Sequence, residues 1–251
     1  MKKVILTLTL LIPSIAFAST GEVKLEKAHN DISDLASLQE GAKLFVNYCM
    51  GCHSAQYVRF ERVGKDLGIP EDELKENLMF TADKVGETMT IAMKKEDGIN
   101  WFGVVPPDLS VIARARGTDW LYTYLLSFYL DPSRPLGVNN LVFKDVGMPH
   151  VLWDLQGWQK LVHETETDAK GHTHEVTKLE LVDKDQMSEA EYQEKTEEYH
   201  NKVRNLVNFL EYIGEPAKLQ RQDLGWKVIV FLIIFAIFAY LLKHEYWRDV
   251  H

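Results

Sequence analysis

Both cysteines of the 251-residue chain fall within one five-residue stretch, Cys49-Met50-Gly51-Cys52-His53. Two thiols cannot build a disulfide framework or a four-thiolate zinc site, but they suffice for one disulfide or one cofactor. C-x-x-C-H is the spacing of covalent haem attachment. On helix-like backbone residues 49 and 52 lie on one side, which puts thioether bonds to both vinyl groups of a single porphyrin within reach. His53 then comes under the ring, where its imidazole supplies the proximal ligand to iron. The competing chemistry is a thioredoxin-like dithiol. Such a site follows a strand in a βαβ pattern, and no such pattern surrounds Cys49.

A haem that shuttles electrons without binding substrate needs a second axial ligand, and methionine opposite histidine raises the reduction potential. Met50 lies inside the motif, Met187 just before a helix cap, and Met89 and Met93 share an apolar stripe with Val85 that reads as core. Met148 differs. It stands in Asp145-Val146-Gly147-Met148-Pro149, a stretch without helical period, where glycine allows close backbone approach and proline stiffens the exit. Met148 is therefore the expected sixth ligand, and His53 and Met148 are the expected metal-binding pair.

These residues must be positioned by helices. Ser37 and Glu40 have capping-box spacing and open a helix through Ala42, Leu44, Phe45 and Tyr48 into Cys49. A second helical segment is expected over 71–94, with a break near Thr81 and a stop at Gly98. Pro106-Pro107-Asp108-Leu109-Ser110 reads as a turn opening another helix, with Asp108 or Ser110 as its cap. A short helix is expected over 119–130. Residues 161–182 alternate Thr, Val and Glu as a β-hairpin. Its His163, His172 and His174 lack fixed metal-ligand spacing and read as plain surface. Ser188 and Glu191 form a second capping box, and the helix they open ends at Gly214 and Pro216.

The chain's ends give the compartment. Lys2-Lys3, the apolar run to Phe17 and Ala16-Phe17-Ala18 are laid out as a secretory signal peptide over residues 1–18. Loss of Lys2 and Lys3 with that leader takes the formal charge from −9 to −11, which argues against a phosphate-binding surface and hence against a nucleic-acid partner. Residues 224–242 carry Lys227 as their only charge and are long enough, at about 28 Å, to span a bilayer core once. The expected order is a signal peptide, a periplasmic haem domain over 19–223, an anchor over 224–242 in the inner membrane and a cytoplasmic tail over 243–251. With 46% hydrophobic and 26% charged residues and no internal repeat, the exported part reads as one mainly α domain with a small hairpin excursion.

Several motifs together carry a family resemblance. Cys49 to His53 with Ser54 and Tyr57, Pro106-Pro107-Asp108-Leu109-Ser110 with Ala113-Arg114-Ala115-Arg116, Gly147-Met148-Pro149, Met187-Ser188 to Tyr192, Asn208-Phe209-Leu210 to Glu215-Pro216 and the single anchor resemble cytochrome c1 in its bacterial form. The resemblance covers nearly all of the mature chain, in order. It implies a c-type cytochrome fold with one covalent haem c, Met148 as sixth ligand, the Pro106-Pro107 loop packed at the haem and Arg116 at a propionate. Arg114 and Arg116 stand two apart on a helix and point to different sides, so at most one of them faces the haem. Trp120 and Tyr122 fall near a position where the family often has an aromatic, and neither is assigned. The implied role is electron transfer from a Rieske iron-sulfur protein to a soluble cytochrome c, beside cytochrome b in a dimeric ubiquinol:cytochrome c reductase; the subunit by itself is not an enzyme. Two other classes compete: a haem peroxidase, which needs an open iron position, and a membrane-tethered thiol oxidoreductase.

Overall fold

The computed structural model describes residues 23–167 and 173–248; the expected signal peptide and the hairpin tip lie outside them. Helix α1 (Leu35–Leu44) runs into one turn of π-helix, Phe45–Cys49. Its cap is Asp34, whose carboxylate accepts from the Ser37 N–H at 3.0 Å, so the helix starts earlier than the expected Ser37. The Ser37 hydroxyl is used elsewhere: it donates to Asn205 Oδ1 at 2.8 Å and accepts from Asn208 Nδ2 at 3.0 Å. Both partners lie on α8 (Glu189–Gly214), a helix of 26 residues.

The α1–α8 contact is close because Gly41 has no side chain. A Cβ there would lie 2.1 Å from the Asn205 carbonyl oxygen. Four residues on, Phe45 meets Phe209 with ring centroids 5.6 Å apart, and Val203, Leu206, Val207 and Leu210 complete a buried face. The Ser188–Glu191 capping box that opens α8 is present in full, as the spacing predicts.

After the motif, β1 (Ala55–Arg59), α2 (Phe60–Leu67) and α3 (Glu71–Asn77) follow. The long helix expected over 71–94 is not formed beyond Asn77. Residues after Leu78 run as turns and extended chain, with β2 (Thr88–Met89) antiparallel to β1. Val85 and Glu87 give their carbonyls to the N–H groups of Glu61 and Phe60 at 2.7 and 3.2 Å. Backbone pairing to the β1–α2 junction thus overrides a helical period of apolar side chains, a tertiary contact that propensity does not contain. Gly98 does not stop a helix either. It lies within α4 (Lys95–Phe102), packed against Pro106, whose Cδ an added Cβ would approach to 2.8 Å.

Helix α5 (Ile112–Arg116) starts beyond both expected caps, Asp108 and Ser110, and its own N-cap, Val111, provides no side-chain bond. Helix α6 (Thr118–Leu126) is shorter than expected: β3 (Phe128–Leu130) leaves it to pair with β4 (Val138–Asn140). After α7 (Trp153–Gln156), strands β5 (Gln159–Thr167) and β6 (Thr173–Leu181) form the expected hairpin. Gln159 Nε2 ties that hairpin to the Leu126 and Phe128 carbonyls at 2.9 and 2.8 Å. The fold is mainly α with three two-stranded sheets among the described residues. It ends in α9 (Lys218–Tyr246), a 29-residue helix with no buried residue, long and apolar enough to cross a membrane. Lys227 pairs with Asp223 at 2.8 Å near its start.

Candidate haem site

The π-turn delivers Cys49 at the end of α1, and a tight turn follows. The Cys49 carbonyl accepts from both the Cys52 and His53 N–H groups, at 3.1 and 2.9 Å. This local winding brings both thiols and the imidazole to one wall of an apolar cavity of about 390 Å³, within the roughly 300–1,000 Å³ of small-molecule and cofactor sites. Cys49 is buried and Cys52 half-buried, and they are not bonded to each other. Burial pushes the Cys49 thiol up to about 12, with the neighbouring Cys52 adding to the rise.

His53 is held by its back edge. Nδ1–H donates to the Pro107 carbonyl at 2.7 Å, which fixes the tautomer and leaves the Nε2 lone pair as the available donor. Burial pulls its pKa below the ordinary value, with the Pro107 contact opposing; the neutral form is the one that ligates metal.

The Pro107 loop is itself tied to the segment after the motif. Leu109 N–H donates to the Ser54 carbonyl at 2.8 Å, and Tyr57 N–H to Ser110 Oγ at 3.1 Å. Asp108 accepts from Gln56 N–H and Ser110 N–H, both at 2.9 Å. Asp108 and Ser110 therefore close a turn and clamp two loops together instead of capping α5.

The facing walls come from α6 and the loop before α7. Trp120, Leu121, Tyr124 and Leu125 line the cavity from α6, with Val146 to Pro149 beside them. Among the described residues Met148 is the methionine on this cavity, whereas Met89 is 1% exposed in the core opposite Ala55. The Met148 loop is anchored at Asp145, which has φ +62°. Arg134 meets its carboxylate at 3.0 Å and its carbonyl at 3.1 Å, and Asn139 Oδ1 accepts its N–H at 2.8 Å. Buried Asn140 accepts from Val142 and Phe143 N–H at 2.9 and 3.0 Å. Gly147 passes so near Phe102 and Val104 that a Cβ would meet Val104 at 3.0 Å.

Arg116 lines the cavity with its guanidinium 5.0 Å from the Trp120 ring centroid, while Arg114 turns toward Glu215 at 4.0 Å. The structure thus brings Cys49, Cys52, His53, Pro107, Arg116 and Met148 to one cavity. Sequence reasoning missed Tyr124 and the Asn139-Asn140 pair, and left Trp120 open. Tyr122 is a core residue bonded to His200 at 3.1 Å. His163, on β5, lies 3.2 Å from Thr177 Oγ1; no cluster of three or more possible metal-ligating His, Cys, Asp or Glu residues occurs among the described residues.

The donor set fits a covalently held haem. Two unpaired thiols three residues apart, an imidazole with Nε2 available and a thioether share apolar walls with one arginine. A mainly helical domain of this kind, followed by a single membrane-length helix among the described residues, is that of an anchored c-type cytochrome. Comparison with known proteins agrees. The model of the Cytochrome C1 family matches residues 27–250. Cytochrome c1 of Allochromatium vinosum is 50% identical over the whole of both chains. The ammonia monooxygenase gamma subunit of Nitrosomonas europaea is 47% identical, covering all of this chain and 99% of that protein. Cytochrome c1 of Rhodospirillum rubrum is 26% identical over 86% of this chain and 83% of its own. The chain belongs to the cytochrome c1 family. It is accordingly a c-type cytochrome with one covalent haem c and an electron-transfer role in a cytochrome bc1 complex.

Proposed function

We propose that the chain takes one electron from a Rieske iron-sulfur protein and passes it to a soluble c-type cytochrome, beside cytochrome b in a dimeric ubiquinol:cytochrome c reductase. Cys49 and Cys52 hold the haem, His53 and Met148 ligate the iron, Pro107 orients His53, and Arg116 meets a propionate. Residues 1–18 are removed on export, 19–223 stand in the periplasm, 224–242 cross the inner membrane once, and 243–251 remain in the cytoplasm. The bound haem supplies a one-electron couple. The protein's part is to keep His53 neutral and aimed and to exclude water with the apolar walls, and His53 and Met148 would be the side chains that hold the iron. Met148 bound to the iron would leave no open position for peroxide, which argues against peroxidase chemistry.

The observation that carries this reading is the Nδ1–H bond of buried His53 to Pro107 in the same cavity as Met148. Mass spectrometry of the mature chain is expected to give one haem adduct and an N-terminus at Ser19; an adduct-free chain with a Cys49–Cys52 disulfide refutes it. Met148→Leu keeps apolar volume and is expected to retain the fold, lower the potential and admit exogenous ligands. The relative named as an ammonia monooxygenase gamma subunit favours a second reading, a redox subunit beside a monooxygenase. Co-purification from detergent decides between them: cytochrome b and a Rieske protein in one case, oxygenase subunits in the other.

A further inference from the structure

Tyr124 enters the cavity wall from α6 and does something its apolar neighbours cannot. Its hydroxyl donates to Met148 Sδ at 3.3 Å. The ring is fixed independently of that bond: it stacks on Trp120 at 5.0 Å and 9°, and meets Phe128 edge-on at 5.2 Å. Asn140, which organises the chain leading to Met148, also donates to the Tyr124 carbonyl at 2.8 Å. The donor and the loop that carries its acceptor are therefore held in one frame.

A phenylalanine would fill this place equally well by shape. The hydroxyl, in a mostly apolar cavity, needs a partner, and the protein acceptor it meets is the sulfur. A thioether sulfur has two lone pairs. One accepting from Tyr124 leaves the other for a metal, so the hydrogen bond and iron ligation are compatible. Methionine has three freely rotating side-chain bonds, and a hydrogen bond at the sulfur selects among its rotamers. A donor at a ligand atom also draws electron density from it, which disfavours the more positive iron state.

We propose that Tyr124 is a positioning residue for the Met148 thioether: its hydroxyl holds the sulfur in one orientation and raises the haem's midpoint potential. The inference rests on Met148 as the sixth ligand. The test is Tyr124→Phe in the full-length, haem-loaded protein in detergent, with Met148→Leu in parallel. Midpoint potential, the thioether-to-ferric-iron absorption band and the unfolding midpoint are read for each. Tyr124→Phe keeps both ring contacts, so a role in packing alone predicts no change in potential.

With the proposed role, the ferrous-to-ferric ratio at a fixed ambient potential falls about two- to tenfold, the range of one net hydrogen bond, and tenfold corresponds to about 59 mV for one electron. The absorption band shifts while the unfolding midpoint stays near wild type. A wild-type ratio and band in Tyr124→Phe, with both altered in Met148→Leu, overturn the inference and leave the ligand assignment standing. A wild-type band and potential in Met148→Leu overturn the ligand assignment, and this inference with it.

Discussion

Replacing Gly41 by alanine is expected to destabilise the domain, although alanine is the better helix former. In an exposed helix interior the substitution gains roughly 0.5–1 kcal/mol from backbone entropy. At Gly41 the new methyl would sit 2.1 Å from the Asn205 carbonyl oxygen, 2.7 Å from Phe209 Cβ and 2.9 Å from the Asn205 carbonyl carbon. Ordinary contact begins near 3.5 Å, so α1 and α8 must separate by about 1 Å or more. The obstacle is backbone, which cannot rotate aside. Separation strains the Ser37–Asn205 and Asn208–Ser37 bonds and the Phe45–Phe209 contact. Overpacking of this kind costs about 1–3 kcal/mol, and the rigid obstacle puts the expected loss at the upper end.

The effect reaches the haem because α1 continues without a break into Cys49. Denaturant titration of the full-length protein, followed by tryptophan fluorescence and haem absorbance, measures it. Gly86→Ala is the control: a Cβ there has nothing within 4 Å, and the midpoint is expected to move by no more than about 0.5 kcal/mol. If Gly41→Ala is as stable as wild type, or more so, helix propensity outweighs the contact and the close α1–α8 approach does not set the geometry of the motif.

Three further outcomes are expected. Ser188→Ala removes the acceptor for the Glu191 N–H and costs about 1 kcal/mol of stability, seen as fraying of the first turn of α8 by hydrogen exchange, with the haem spectrum unchanged. Asp119 is held below the ordinary carboxylate range by the Lys27 ammonium at 2.7 Å and then by the Ala28 N–H at 3.0 Å; its hold on the segment from Lys24 to His29 is therefore complete above the unfolded value of about 3.9 and is lost as pH falls through the lower folded value. Proteolysis of that segment against pH checks this, with Asp119→Asn expected to cut readily at neutral pH and to lose the acid step. The oxidation rate of the reduced protein by a basic soluble cytochrome is expected to fall as salt rises, since the chain carries a formal charge of −9; a flat profile refutes charge steering.

What was legible in the sequence was what is local. C-x-x-C-H, the Ser188–Glu191 box and the alternation of the hairpin each encode their geometry within a few residues, and each is realised over the described residues. Residues 78–94 were misread because Leu78, Val85 and Met89 repeat at helical spacing yet are buried or half-buried from non-helical backbone, Leu78 and Val85 from turns and Met89 from strand β2. Ser37 was misread because a hydroxyl near a helix start can cap or can bind a neighbouring helix, and the choice depends on Asn205 and Asn208, far along the chain. The Met148 loop shows why its frame was invisible while its methionine was not. Gly147-Met148-Pro149 is a local signature, but the chain leading to it is set by Asn139 and Asn140. These side chains bond backbone groups one to sixteen residues away, and periodicity carries no trace of such bonds. Asparagine is depleted in strands, and two in succession at 3% and 1% exposure fit neither a core nor a surface strand. Such a pair is tolerated only where its amides are fully used. Read that way, an unfavourable residue at a buried strand position marks a loop under construction beside it, and here that loop ends at the sulfur Tyr124 holds.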